Sequence, residues 1–354
     1  MPTSARRRPC VVAAPDAFKG TAGAPAIAEA IAAAARSAGW ECDVCPLSDG
    51  GEGFAEVVAA QRHGAGAWRT TEVTGPLGAP VSARWWQGGD EAVVESAAAS
   101  GLPLAGGPEG NDPVAATTRG TGELIAAAVA ARARRVLVGV GGSATTDGGS
   151  GAVEAIEAAG GLGDAEVVVA CDVQTAFVDA AEMFGPQKGA SPSQVVELRV
   201  RLEALAADYR RRYGVDVGAL PGAGAAGGMA GGLAALGARL VPGFELVAGL
   251  VDLRSRLGRA DLVVTGEGRL DASTWSGKVV AGVAALAGVA GVDVVVVAGS
   301  VGPGGVRPDP AGGGRTGELE VVDLTEHCGA ARSLADPAGC VEEAVRDLFV
   351  ERPP

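Results

Sequence analysis

Acidic residues set among glycines at the ends of apolar runs recur along this chain. They are Asp16 with Lys19 in APDAFKG, Asp49 and Glu52 in SDGGEG, Asp147 in GGSATTDGG, Asp172 in ACDV, and Glu267 with Asp271 in TGEGRLD. One acidic residue in a loop is ordinarily a turn former or a helix cap. Repetition of the pattern at the same relative place, together with a lysine, suits Mg²⁺-assisted phosphoryl transfer. In that chemistry backbone N–H groups and lysine hold phosphates while a divalent cation offsets their charge. A carboxylate could then accept the proton of an attacking hydroxyl, a role that contributes about 10²–10⁴-fold. His63 and His327 stand in segments with no recognisable site, so a carboxylate base is expected rather than a histidine.

Such residues need elements to hold them, and the stretch from Arg135 to Gly151, RVLVGVGGSATTDGGSG, reads as the central one. Val136, Leu137, Val138 and Val140 make a short strand; a glycine loop with Ser143, Thr145, Thr146 and Asp147 follows; GAVEAIEAAG then continues as a helix. Glycine lets backbone approach an anion closely, and a helix start adds a partial positive charge of about half a unit. The loop therefore reads either as a cradle for a phosphate or carboxylate, or as a tight strand-to-helix turn that binds nothing.

The 354 residues suit two domains, and the 47% apolar content is ample for two cores. With 57 glycines and only 4% aromatic residues, alanine and valine must fill the interior. A net charge of −13 argues against a nucleic-acid or anionic-membrane partner, because such binding rests on Lys and Arg neutralising phosphates. Small-molecule substrates are expected instead. The run Cys10–Ala14 after Arg6, Arg7 and Arg8 is too short for a signal-peptide core, and the apolar window Gly282–Gly302 is broken by Asp293 and glycines. A cytoplasmic protein is expected. Cys42 and Cys45 form a lone C-x-x-C with no second pair at zinc spacing, and read as packing residues.

Taken in order, strands and helices alternate. The pattern predicts strands at Cys10–Ala14 and Cys42–Leu47 with a helix from about Pro25 to Ala38 between them, and a hairpin in TEVTGPLGAPVSARWW. A helix capped near Thr121 returns the chain to the central strand. AEVVVACDV is a buried strand ending in Asp172, and Ser191 or Ser193 caps a helix carrying Val195, Leu198, Leu202, Leu205 and Tyr209 on one face. Gly222, Gly224 and Gly227 match the dinucleotide fingerprint only formally, since no clear strand precedes them. Strands at Leu262–Thr265, Asp293–Ala298 and Glu320–Leu324 complete the chain, with a glycine- and proline-rich linker before the last. Gly277-Lys278 is not a Walker A motif. Loops at the carboxyl ends of parallel strands are where open sheets bind ligands, so these loops are expected to converge.

APDAFKG, SDGGEG, VTGPLG, ATTRGTGELI, GVGGSATTDGG, ACDV, FGPQKGA, PGAGAAGGM and TGEGRLD occur in the order found in bacterial type I glycerate kinases, and the chain resembles that family over nearly its whole length. The resemblance implies two intertwined α/β domains, one Rossmann-like with a parallel sheet and one with a mixed sheet. Combined with the strand pattern, it places residues 1–68, 119–150 and 257–354 in the first and residues 69–118 and 151–256 in the second. It also implies ATP- and Mg²⁺-dependent phosphorylation of D-glycerate to 2-phosphoglycerate, or to 3-phosphoglycerate as in other members. A homodimer is compatible with this reading. The family motifs mark Asp16, Phe18, Lys19, Asp49, Gly50, Gly51, Glu52, Gly142, Ser143, Asp147, Asp172, Gln187, Lys188, Glu267 and Asp271. Among these, Lys19 is assigned to a transferring phosphate or a substrate carboxylate, Asp172 to the base with Asp16 beside it in the catalytic set, and Glu267 and Asp271 to Mg²⁺.

The chain also departs from the pattern. Ala17 replaces a serine, Thr146 an asparagine, and Gln174, Thr175, Ala176 and Phe177 stand where an Asn-Pro-Leu turn is expected after Asp172. If that turn lines the acceptor, a different small hydroxy acid could be the substrate. A catalytically silent binding protein is the remaining alternative.

Overall fold

The computed structural model describes residues 7–62, 65–275, 278–305 and 319–352. His63 and residues 306–317 of the linker before the last strand lie outside the described residues. The chain divides into two compact units, Met1–Asp49 with Phe244–Pro354, and Gly50–Gly243.

The first unit is built on a five-stranded sheet of β1 (Cys10–Ala13), β2 (Glu41–Val44), β9 (Leu262–Glu267), β10 (Asp293–Ala298) and β11 (Leu319–Asp323), in the order β11-β10-β9-β1-β2. Every pairing in it is parallel. The valine-rich strands have no polar alternation, as expected where both faces of a parallel sheet are covered. On one face Val11, Ala13, Val264, Val295 and Val297 pack with Ile27 and Ile31 of the helix Ala24–Ser37 and with Val341, Val345 and Phe349 of the helix Pro337–Glu351. Full burial contributes roughly 1.5–3 kcal/mol for each of the larger side chains, and Ala28, Ala34 and Ala35 supply the small surface that lets the helices approach. Cys42 is half-buried and Cys45 buried, so both pack as the sequence suggests, whereas Cys328 and Cys340 are joined as a disulfide.

The second unit holds a six-stranded mixed sheet of β3 (Ala67–Thr74), β4 (Pro80–Gly88), β5 (Glu91–Glu95), β6 (Arg135–Gly139), β7 (Glu166–Ala170) and β8 (Arg239–Val241), in chain order. β3, β4 and β5 are antiparallel neighbours and β5 to β8 run parallel. Val136, Val138, Val167 and Val169 meet Leu124, Ile125, Met229 and Leu233 in its core. The helix Pro192–Tyr213 starts at Ser191 with a reciprocal Ser191–Gln194 capping box and stops at Gly214 (φ 73°), both as its sequence signals.

The domain boundaries differ from those expected. Residues 50–68 and 119–150 belong with the mixed sheet, and residues 244–256 with the parallel one. The reason is register: Arg135–Gly139 pairs strand for strand with Glu91–Glu95 and Glu166–Ala170, so the central strand is the middle of the second sheet. The returning helix starts earlier than Thr121, at Arg119, with Thr118 at its N-cap position. No described helix is long and apolar enough to cross a membrane.

Candidate active site

In the first unit, the loops after β1, β9, β10 and β11 enclose a cleft of about 500 Å³ at the carboxyl edge of the sheet, the edge at which parallel sheets receive ligands. The loop after β1 is shaped by its own backbone: Phe18 N–H bonds to the Ala22 carbonyl, Thr21 N–H to the Phe18 carbonyl, and Gly20 turns at φ 73°. It lies across the end of β9, where a Cβ on Gly268 would come within 3.2 Å of Phe18 Cα. Lys19 from this loop and Arg269 and Lys278 from the chain after β9 all line the cleft. Ala17, where the resembling family carries serine, lines it too but is almost fully buried.

Acidic groups stand beside these cations. Asp16 is 5% exposed, and its Oδ1 accepts a 2.7 Å hydrogen bond from Ala17 N–H. Burial, and after it the Asp49 carboxylate, hold its pKa well above the usual range, against the pull of that hydrogen bond and of Lys19; Glu267 adds to the rise. Glu267 ends β9 and accepts a 2.5 Å hydrogen bond from Thr274 Oγ1; burial raises its pKa, while Lys278 and Lys19 oppose the rise. Asp271 differs. Its Oδ1 accepts from Ser273 N–H (2.8 Å) and Ser273 Oγ–H (2.7 Å), capping the turn Ala272–Trp275, and these bonds lower its pKa. Its Oδ2 faces Arg269 Nε at 3.6 Å.

Among the described residues no group of three or more His, Cys, Asp or Glu side chains is arranged to hold a metal ion. Mg²⁺ commonly takes one or two carboxylates and completes its shell with waters and substrate phosphates. Glu267, a hard oxygen donor at the end of β9, has the chemistry for that share. Asp271 has one oxygen committed to its turn.

The glycine loop that the sequence made central lies in the second unit, and its anion is its own. Asp147 is 6% exposed. Its Oδ2 accepts from Thr118 N–H (2.8 Å), Thr118 Oγ–H (2.9 Å) and Gly151 N–H (3.3 Å), and its Oδ1 from Gly149 N–H (3.0 Å). The positive start of the helix Ser150–Ala158 is thus satisfied by this carboxylate, and the alternative of a structural turn describes the helix start. Lys188 is buried on the turn Pro186–Lys188, where its ammonium donates to Ser143 Oγ (3.0 Å) and the Thr145 carbonyl. Burial pushes its pKa down to about 7, against the attraction of Asp147. Gly142 turns at φ 70°, Thr146 is buried with no hydrogen-bond partner for Oγ1, and Gln187 is exposed.

The glycines of SDGGEG and GVGGS serve contact between backbones. A Cβ on Gly139 would lie 2.9 Å from the Gly50 carbonyl oxygen, and one on Gly141 would lie 2.5 Å from Gly51 Cα. Glu52 adjoins Gly53, which turns at φ 81° into the helix Phe54–Ala60. Glu95, at the end of β5, escaped the sequence reading; its carboxylate accepts from Ala55 N–H (2.6 Å) and Gly53 N–H, and burial raises its pKa to about 7. Its signal is the same acid-after-apolar-strand pattern, in EAVVESAAAS without the adjacent glycines that mark the other loops.

Asp172, expected as the base, follows β7, and its Oδ1 accepts from Gly243 N–H at 2.7 Å. In the divergent turn after it, Thr175 is held through its carbonyl by Gly224 N–H (3.0 Å), and Phe177 is fully buried against Leu198, Leu202 and Tyr209. Phe177 therefore serves the core rather than a substrate pocket. The GAGAAGG stretch is likewise packing: Cβ atoms on Gly224 and Gly227 would strike the Ala176 and Thr145 carbonyl oxygens at 2.4 and 2.0 Å.

Comparison with known proteins accords with this architecture. The chain is 40% identical to the Glycerate 2-kinase of Escherichia coli over 82% of its length and 85% of that protein, and 39% identical to the Glycerate kinase of Bacillus subtilis over 82% and 85%. The crystal structure of a putative glycerate kinase 2 from Salmonella typhimurium LT2 matches with a TM-score of 0.80 and 34% identity, covering 98% of each chain. A profile of the Glycerate kinase family matches residues 11–161 and 157–348, and with two parallel and mixed α/β sheets in place this chain belongs to the glycerate kinase family and is a kinase.

Proposed function

We propose that the protein transfers the terminal phosphate of ATP, with Mg²⁺, to a hydroxyl of D-glycerate, giving 2-phosphoglycerate, and works in the cytoplasm. The observation that carries the reading is the shared placement of Lys19, Arg269 and Lys278 with Glu267 and Asp16 at one sheet edge of the first unit. Lysine and arginine there offset phosphate charge on a chain of net charge −13. Mg²⁺ held by Glu267 would supply further charge neutralisation of the transferring phosphate.

Two carboxylates are candidates for the acceptor's proton. Asp16 is favoured, because burial beside Asp49 and Glu267 raises its proton affinity, and a base works best when its pKa approaches the working pH. Asp172 already spends one oxygen on Gly243. The burial of Phe177 takes that side chain away from any acceptor, and the E. coli relative named Glycerate 2-kinase favours the 2-phosphate product.

The test is ADP release with and without Mg²⁺ across D-glycerate, L-glycerate and larger hydroxy acids, with phosphorus NMR of the product. Turnover of D-glycerate to the 2-phosphate, abolished by chelator, supports the proposal. Preference for another hydroxy acid, or no ADP release with any of them, overturns it.

A further inference from the structure

The cleft of the first unit changes chemistry along its length, following the strand order β11-β10-β9-β1-β2. At the β11 and β10 end stands the helix Ala330–Ala335. It presents Ala330 and Leu334 to the cleft, and Leu334 is 69% exposed although it is a large aliphatic side chain. Ser333 fixes this helix over the sheet edge by donating its hydroxyl to the Gly299 carbonyl at 2.7 Å. In the middle, after β9, come Arg269 and Lys278, the latter steadied by a 2.9 Å hydrogen bond to Ser273 Oγ. Lys19 follows at β1, and the buried carboxylate Asp16 with Asp49 closes the series at β1 and β2.

Two to three interstrand steps separate the aliphatic end from Lys19, about 10–14 Å at the usual strand spacing. That is the order of the reach of a nucleoside triphosphate from base to terminal phosphate. An aliphatic shelf can cover one face of an aromatic base, and guanidinium and ammonium groups complement a polyphosphate chain.

We propose that Leu334 and Ala330 form the base shelf of the nucleotide site, that Arg269 and Lys278 hold the polyphosphate, and that the terminal phosphate points along the sheet edge towards Lys19 and Asp16. This rests on the ATP reading above and adds a direction to it. It also gives functions to Leu334, Arg269 and Lys278, which the sequence motifs leave without one.

Calorimetric titration of the full chain with ATP, adenosine and inorganic tripolyphosphate separates the two ends of the site. Leu334→Ser, on an exposed position, is expected to weaken ATP and adenosine by about tenfold and to leave tripolyphosphate within about twofold. Lys278→Ala is expected to weaken ATP and tripolyphosphate by about tenfold and to leave adenosine unchanged. If wild-type protein binds ATP but Leu334→Ser alters neither ATP nor adenosine binding, or alters tripolyphosphate equally, the assigned direction is overturned while the ATP reading stands. Wild-type protein that binds tripolyphosphate but neither ATP nor adenosine overturns both.

Discussion

Gly141 and Gly51 meet backbone to backbone: a Cβ built on Gly141 would lie 2.5 Å from Gly51 Cα and 3.2 Å from its carbonyl carbon. No side-chain rotation relieves a clash with main chain. Gly141→Ala is therefore expected to cost about 1–3 kcal/mol, the usual range for overpacking, read as a lower midpoint in urea at unchanged m-value. A variant as stable as wild type would show that the two loops can part freely.

Lys19 is exposed at the cleft, beside the carboxylates of Asp16 and Glu267. Lys19→Met should fold normally and lower kcat/KM by at least about 10², as expected when a contact to developing charge is lost. Wild-type turnover in the folded variant would reduce Lys19 to a surface residue.

Asp16 and Asp172 can be told apart by the same substitution. Asp16→Asn is expected to lower kcat by about 10²–10⁴. Asp172→Asn keeps an oxygen that can accept from Gly243 N–H, so it should lose far less turnover, while Asp172→Ala should lose about 1–3 kcal/mol through an unsatisfied buried group. Rates measured beside melting temperatures decide between them, and a larger loss for Asp172→Asn would reverse the assignment of the base.

Lys188 makes stability depend on pH in the alkaline range. Its folded pKa of about 7 lies below the ordinary lysine value of 10.5, so between those values the unfolded chain binds more protons. Stability should therefore rise with pH from about 7 to 10.5, by up to roughly 1.4 kcal/mol per unit. Lys188→Met should lack this component in denaturant titrations at pH 6, 8 and 9.5. Parallel curves for the two proteins would contradict it.

Glu95 acts in the opposite sense. Its folded pKa of about 7 lies above the ordinary 4.5, the native state holds the extra proton, and stability falls as pH rises through that interval. Glu95→Gln retains an acceptor for Ala55 and Gly53 without the charge. It is expected to gain stability over wild type at pH 8, by about 1–3 kcal/mol, and to show no gain at pH 4.5. An equal difference at both pH values would mean that the charge is not the cause.

Local order was legible in the sequence wherever one segment carries its own signal. Ser191 and Gln194 announce their capping box, Gly214 ends the same helix, and the valine runs at β6, β7, β9 and β10 declare buried parallel strands. The ordered motifs were sufficient for the family. Tertiary structure alone decided which sheet the central strand joins, since Val136–Val138 would suit the interior of either and only pairing with Glu91–Glu95 and Glu166–Ala170 places it. It also decided what the loop residues face. Asp147 and Asp16 are both acids after an apolar strand, yet the first is consumed by four donors from Thr118, Gly149 and Gly151, whereas the second is crowded by Asp49 and Glu267. The residue type sets the charge a loop can offer; whether that charge is spent on the fold or left for a ligand depends on donors contributed by segments distant in the chain.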